Sequence, residues 1–193
     1  MSKTDIIKLK KAVKKVQDAK RFEHTLGVAY TAAALAMRYE EDISKAQVAG
    51  ILHDCAKCMK DEELLAICKK GNIPISEIER RNPFLLHAKA GAVLAKEVYD
   101  VEDSDILNAI YNHTTGRPQM SLLEKIIFIA DYMEPGRKNA PNLGQIRKMA
   151  FIDLDETLCK ILQDTLNYLK ESDGEIDPAT EITWNYYCKK EME

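Results

Sequence analysis

Glycine and proline are scarce in this chain, 8 and 6 among 193 residues. That is too little punctuation for the many tight turns of an all-β fold. Long hydrophobic runs are missing too: none approaches the roughly 18 residues that span a bilayer. The N-terminal stretch MSKTDIIKLKKAVKKV is basic, but its apolar positions recur at helical intervals and form no leader-like hydrophobic block. Its low net hydrophobicity argues against a lipid-binding helix. A surface helix of a cytoplasmic protein, with no membrane partner, is the expectation. Basic excess is lacking as well, and a net charge of −3 gives no reason to expect nucleic-acid binding. The five cysteines are an odd number without disulfide-framework spacing. Cys55-x-x-Cys58 has neither the second CxxC of a zinc site nor the βαβ context of a thioredoxin. Reduced thiols with a packing role are therefore expected.

What remains is helical periodicity with short breaks. Ile6, Leu9, Val13 and Val16 mark one face of a helix over 5–19. A second helix runs over 21–39 with His24 near its start. Ser44-x-x-Gln47 reads as a capping box for a third helix, which carries His53-Asp54 toward its end. A short helix over 61–70 stops at Gly71-Asn72, and 71–83, with Pro74 and Pro83, is the most irregular stretch. Helices over 84–99 and from Asp103 or Ser104 onward bring His87 and His113. Ser121-x-x-Glu124 caps the helix that buries Asp131 and stops at Pro135. A long helix over 145–171 and a last one opened by Asp177-Pro178 complete the chain. No repeat or linker divides it, so residues 1–193 read as one all-α domain.

Chemistry concentrates in few residues. All four histidines, His24, His53, His87 and His113, precede Asp131 in the apolar run Ile126-Ile127-Phe128-Ile129-Ala130-Asp131. A carboxylate is costly to bury unless it is paired or bound to a cation. Ile127 and Phe128, at i−4 and i−3, share its face and argue against exposure. His53-Asp54 follows Val48-Ala49-Gly50-Ile51-Leu52, which is equally apolar. Asp54 has a second oxygen with which to bridge two ions. Imidazole and carboxylate ligands without thiolate suit Fe, Mn, Co or Zn, in one or two centres. Lys57 shares the helix face of His53 and Asp54, Arg21 that of His24, and Arg137 follows Asp131. Three cations beside three candidate ligands point to an anionic phosphate substrate.

These words, in this order, resemble a known family. Arg21-x-x-His24-Thr25-Leu26-Gly27-Val28, Ala49-Gly50-Ile51-Leu52-His53-Asp54-Cys55-Ala56-Lys57, Leu86-His87-Ala88, Asn112-His113-Thr114-Thr115-Gly116 and Asp131-Tyr132-Met133-Glu134-Pro135-Gly136-Arg137 follow the H…HD…H…H…D pattern. It is that of the all-α HD-domain phosphohydrolases, and the words are closest to the YqeK branch of symmetrical bis(5′-nucleosyl)-tetraphosphatases. The resemblance implies hydrolysis of diadenosine tetraphosphate to two ADP by a metal-bound hydroxide, often with iron. His24, His53, Asp54 and Asp131 would hold the principal metal, and His87 and His113 a second metal or phosphate. Asp54, Lys57 and His113 would take part in the chemical step, with His87 or His113 orienting or protonating the leaving oxygen. Arg21, His24, Lys57, His87, His113 and Arg137 would meet the nucleotide. Thr180 and Asn185 match a closing segment that lines the nucleoside end, whereas Trp184 reads equally well as a core aromatic. A homodimer is compatible with all of this. Two other readings stay open: an HD phosphohydrolase acting on mononucleotides or ppGpp, and a non-catalytic nucleotide sensor. His113-Thr-Thr-Gly-Arg-Pro118 lacks the features of cyclic-dinucleotide phosphodiesterases.

Overall fold

The computed structural model describes residues 5–172 and 175–189, and no strand occurs among them. Eleven α-helices follow one another in these residues: α1 (Ile6–Val13), α2 (Ala19–Tyr39), α3 (Ile43–Leu52), α4 (Asp61–Lys70), α5 (Glu77–Arg81), α6 (His87–Glu97), α7 (Ser104–Tyr111), α8 (Leu122–Met133), α9 (Leu143–Met149), α10 (Leu154–Glu171) and α11 (Pro178–Cys188). A 3-10 turn, Pro83–Leu86, leads into α6. None of these helices is long and apolar enough to cross a membrane.

Small residues set the central packing. Helix α2 buries Ala29, Ala32, Ala33 and Ala36. Helix α3 approaches this stripe at Gly50, where a Cβ would stand 2.7 Å from the Ala29 Cα. Any side chain there would push the two helices apart. Helix α8 packs on both, burying Leu123, Ile126, Ile127 and Ile129. Each such side chain contributes about 1.5–3 kcal/mol, which offsets the burial of the polar groups that the same three helices carry. Helix α7 lies on α3 and α8, α6 on α7, and α10 on α8 with α11 against it. A second, smaller cluster of Ala56, Leu64, Cys68, Leu86 and Ala90 sits under α4.

The structure departs from the sequence reading in five places. Helix α1 ends at Val13, because the chain then turns to bury Gln17 against the site. Helix α3 is capped by Asp42, which accepts from the Ser44 and Lys45 amides, and not by Ser44. The irregular stretch 71–83 contains α5, opened by a Ser76–Glu79 capping box. The long helix over 145–171 is two helices: Asp153 caps α10 through the Asp155 and Glu156 amides. The carbonyls freed at this break accept from Tyr39 Oη (Ala150) and Arg38 Nε (Phe151). Finally, the thiols are not all free. Docking of α11 on α10 brings the Cys159 and Cys188 Cα atoms to 5.4 Å and joins them in a disulfide, while Cys55, Cys58 and Cys68 remain thiols.

Candidate metal centre

Five elements deliver the site. His24 lies in the second turn of α2, His53 caps the C-terminus of α3 with Asp54 next to it, His87 opens α6, His113 follows α7, and Asp131 is in the last turn of α8. The four imidazoles form a chain of edge-on rings, with centroids 5.4 Å apart for His24–His53, 5.0 Å for His53–His113 and 5.3 Å for His87–His113. Asp54 sits among them with its two oxygens facing different partners. Oδ2 lies 3.5 Å from His53 Nε2 and 3.8 Å from His24 Nε2. Oδ1 lies 3.4 Å from His87 Nε2 and 3.6 Å from His113 Nε2. Asp131 Oδ1 is 3.0 Å from His24 Nε2 and 3.8 Å from His53 Nε2.

Backbone carbonyls fix three of the rings. Nδ1 of His53 donates to Gly50 O at 2.8 Å, His87 to Phe84 O at 2.8 Å, and His113 to Ile110 O at 2.7 Å. A carbonyl only accepts, so each Nδ1 carries a proton and each ring turns its Nε2 inward. Ligand atoms of His24, His53 and Asp131 lie within 4.8 Å of one another, and so do those of His53, Asp54 and His113. The Nε2 atoms of His24 and His53 are buried and make no hydrogen bond. A buried orphaned imidazole nitrogen beside carboxylates is costly in an apolar interior, and a cation bound there removes the cost. The residues therefore fit a metal.

Electrostatics agree. Burial pushes the Asp54 carboxyl up, but His53 and His113 outweigh it and hold the group well below the usual carboxylate range. Asp131 is held low in the same way, with His24, His53 and Arg137 opposing its burial. Burial, the Lys57 ammonium and His113 drive His87 down to about 3, which keeps it neutral and ligand-competent. His24 goes the other way: burial lowers it, yet Asp131 and Glu134 leave it raised. Cys55 is no ligand, since burial pushes its thiol up to about 12 and its Sγ donates to Gly91 O.

Residues 21–136 match the HD domain family. The chain belongs to the HD-domain family. It is 41% identical, over 86% of its own length and 88% of the relative's, to a protein of Bacillus subtilis (strain 168) named bis(5′-nucleosyl)-tetraphosphatase, symmetrical. A protein of the same name from Staphylococcus aureus (strain NCTC 8325 / PS 47) is 37% identical over 95% of this chain and 94% of that one. The crystal structure of a predicted HD superfamily hydrolase involved in NAD metabolism, from Clostridium acetobutylicum, superposes with a TM-score of 0.91 at 41% identity, covering 95% of this chain and 97% of that one. An HD domain implies a divalent metal, and the His/Asp cluster is where this HD domain has donors for one.

Around the cluster of this HD domain stand the expected cations. Arg21 Nη1 donates to Asp54 Oδ2 at 2.7 Å, Arg137 Nη2 to Asp131 Oδ1 at 2.8 Å, and Lys57 Nζ lies 3.2 Å from His87 Nε2. Burial pulls the Lys57 amine below its ordinary value. Several supporting groups escaped the sequence reading. Buried Glu134 accepts from His24 Nδ1 at 3.2 Å and from the Gly136 amide. Gly27 makes room for it, since a Cβ there would collide with Glu134 Oε2. Gln17 Nε2 donates to Asp54 O at 3.0 Å and its Oε1 accepts from Thr25. Arg147 ties down the Met133, Glu134 and Arg137 carbonyls. Glu124 clamps Arg117 and Asn112 on either side of the His113 loop. Its capping box was readable, and the Gly136 contact to Glu134 is local; the other contacts span distances in the chain that no local pattern encodes.

Thr180 is buried and lines a cavity of about 430 Å³ with Lys89, Tyr111 and the chain neighbours of His87 and His113, namely Ala88, Asn112 and Thr114. Asn185 is exposed on α11 and is not among the residues lining that cavity. Trp184 packs against the core, as the core-aromatic reading has it.

Proposed function

We propose that this protein hydrolyses diadenosine tetraphosphate symmetrically to two ADP, the activity named for its Bacillus and Staphylococcus relatives. The supporting observation is Asp54, a buried carboxylate whose two oxygens each face a different pair of imidazoles, with Arg21, Lys57 and Arg137 at the rim. That arrangement suits two ions, held by His24, His53, Asp54 and Asp131 on one side and by Asp54, His87 and His113 on the other. Iron is our choice, and Mn, Co and Zn accept the same donors. When bound, such a metal polarises phosphoryl oxygens and acidifies water toward neutral pH. We read residues 1–193 as one domain carrying this site.

The chain's own residues supply the rest. Water adds to the β-phosphorus on one side of the central P–O–P bridge, and the bridging oxygen leaves with the other ADP. Arg21 and Arg137, each part-exposed and already oriented by a carboxylate, meet the phosphate oxygens as charge builds. Lys57 offers a further donor from the opposite edge. His87 is held neutral by burial and Lys57, which suits it to binding a ligand and not to protonating the leaving oxygen. His113 faces the same Asp54 oxygen.

The test is product chromatography on metal-loaded protein, with metal analysis on the same sample. Two ADP per dinucleotide are expected; release of ATP and AMP, or of pyrophosphate, would overturn the reading. Asp54→Asn, purified free of host enzyme, should abolish turnover and lower bound metal, and wild-type-like hydrolysis by it would sink the assignment.

A further inference from the structure

Symmetrical cleavage puts the broken bond at the middle of the substrate, so one nucleoside must extend to each side of the cluster. The cavity lined by Thr180 is also lined by Ala88, Asn112 and Thr114, the chain neighbours of His87 and His113, and at about 430 Å³ it has room for one half. On the other edge, where His24, Arg21 and Arg137 reach the surface, a wider cleft of about 1120 Å³ opens between α2 and the loop after α8. We propose that this cleft receives the second nucleotide half, its phosphates meeting Lys20, Arg21 and Lys138 and its base stacking on Tyr30. This rests on the reading of the protein as a hydrolase of a substrate with two nucleosides.

Charge and shape support the assignment. Lys20, Arg21, Arg137 and Lys138 all line the cleft. Of the acidic groups there, Glu134 is engaged by His24 and the Gly136 amide, and Asp18 caps α2 and accepts from the Cys58 thiol. Glu23 is exposed to solvent. Arg21 and Arg137 already pair with Asp54 and Asp131, so Lys20 and Lys138 are the lining's cations left to meet an entering phosphate.

Helix α2 provides the track. His24, Gly27 and Tyr30, three residues apart along α2, all line the cleft. Six residues from His24 to Tyr30 correspond to about 9 Å of rise, a span that a diphosphate and a ribose bridge. Tyr30 is 57% exposed at the end of this track. Its hydroxyl accepts from Lys10 Nζ at 3.1 Å, and that ammonium lies 4.5 Å from the ring centroid, which steadies the ring. An aromatic held in this way is a stacking platform for any base.

The test uses the full metal-loaded chain and compares wild type, Tyr30→Ala and Tyr30→Phe on diadenosine tetraphosphate. Loss of stacking should raise KM about tenfold in Tyr30→Ala, with the loss falling in KM more than in kcat, and Tyr30→Phe should restore it. An unchanged KM in Tyr30→Ala overturns the proposal. If that variant fails to fold, Lys138→Ala replaces it: a rise in KM that shrinks at high salt supports the cleft, and a wild-type KM overturns it. Calorimetric binding of methylene-bridged diadenosine tetraphosphate separates this proposal from the reaction itself. Wild type that binds the analogue without hydrolysing the substrate, with Tyr30→Ala binding about tenfold more weakly, upholds the cleft and sinks the reaction. Wild type that does not bind the analogue overturns both.

Discussion

His24 and the other three site histidines all point their Nε2 atoms at Asp54, yet they are held by different devices. His53, His87 and His113 each donate Nδ1–H to the carbonyl three residues earlier. His24 hydrogen-bonds to the buried carboxylate of Glu134, 110 positions away in the chain. Their places along the helices explain this. His53 and His113 stand where a helix ends, and His87 stands at the junction of a 3-10 turn and α6. Terminal carbonyls lack an intrahelical N–H, so an imidazole nearby takes one at no cost to the backbone. His24 stands inside α2, where the carbonyls are already committed, and its partner has to come from another element. Helix ends are thus what orients the His87 and His113 rings, and the residue that depends on tertiary packing is the one deepest in its helix.

Replacing His53 should break the comparison most severely. Its ligand atom belongs to both donor groups, so His53→Ala should lower metal content more than any supporting residue does. We expect more than about a hundredfold loss of affinity, beyond the range for outer contacts, measured by competition with a chelator. Affinity within tenfold of wild type would mean that the two groups do not share it.

Glu134→Gln sharpens the contrast, because the amide oxygen can still accept from His24 Nδ1 while the charge is gone. A carboxylate behind a ligating histidine raises its basicity, and losing it costs about 10- to 100-fold in metal affinity. Gly27→Ala should give a smaller loss of the same kind, about tenfold, by pushing Glu134 aside, since the new Cβ would meet Glu134 Oε2 and neighbouring atoms of that side chain. Unchanged affinity in both variants would show that the carboxylate only fills space.

Much of this was readable in the chain because the decisive features are local. His53-Asp54 after an apolar run, Asp131 beside Ile127 and Phe128, and capping residues at Asp103, Ser121 and Asp177 are patterns within one or two turns. What escaped depends on contacts distant in sequence. Gln17 beneath Asp54, Glu134 behind His24 and Arg147 across the loop after α8 leave no local trace. Cys159 and Cys188 are 29 residues apart and meet only because α11 folds back on α10. The break between α9 and α10 was written locally, in Asp153 and Glu156, but helical periodicity on both sides concealed it.

The smallest expected effect is the most direct comparison of the two devices, since it reads them through stability in the metal-free protein. Burial, Lys57 and His113 lower His87 to about 3, against about 6.5 unfolded. Below pH 6.5 the unfolded chain binds a proton that the folded chain refuses. Stability therefore falls as pH drops toward 3, by up to about 1.4 kcal/mol per pH unit. His24 has the opposite sign: its folded value is raised, so its contribution is fully present below about pH 6.5 and is lost as pH rises from there through the raised folded value. Urea midpoints of the metal-stripped protein from pH 8 to pH 4.5 should show His87→Gln flattening the acid limb and His24→Gln flattening the neutral-to-alkaline limb. A His87→Gln variant that keeps the wild-type slope between pH 6.5 and 4.5 would show that His87 titrates normally and that burial, Lys57 and His113 do not hold it neutral in the folded protein.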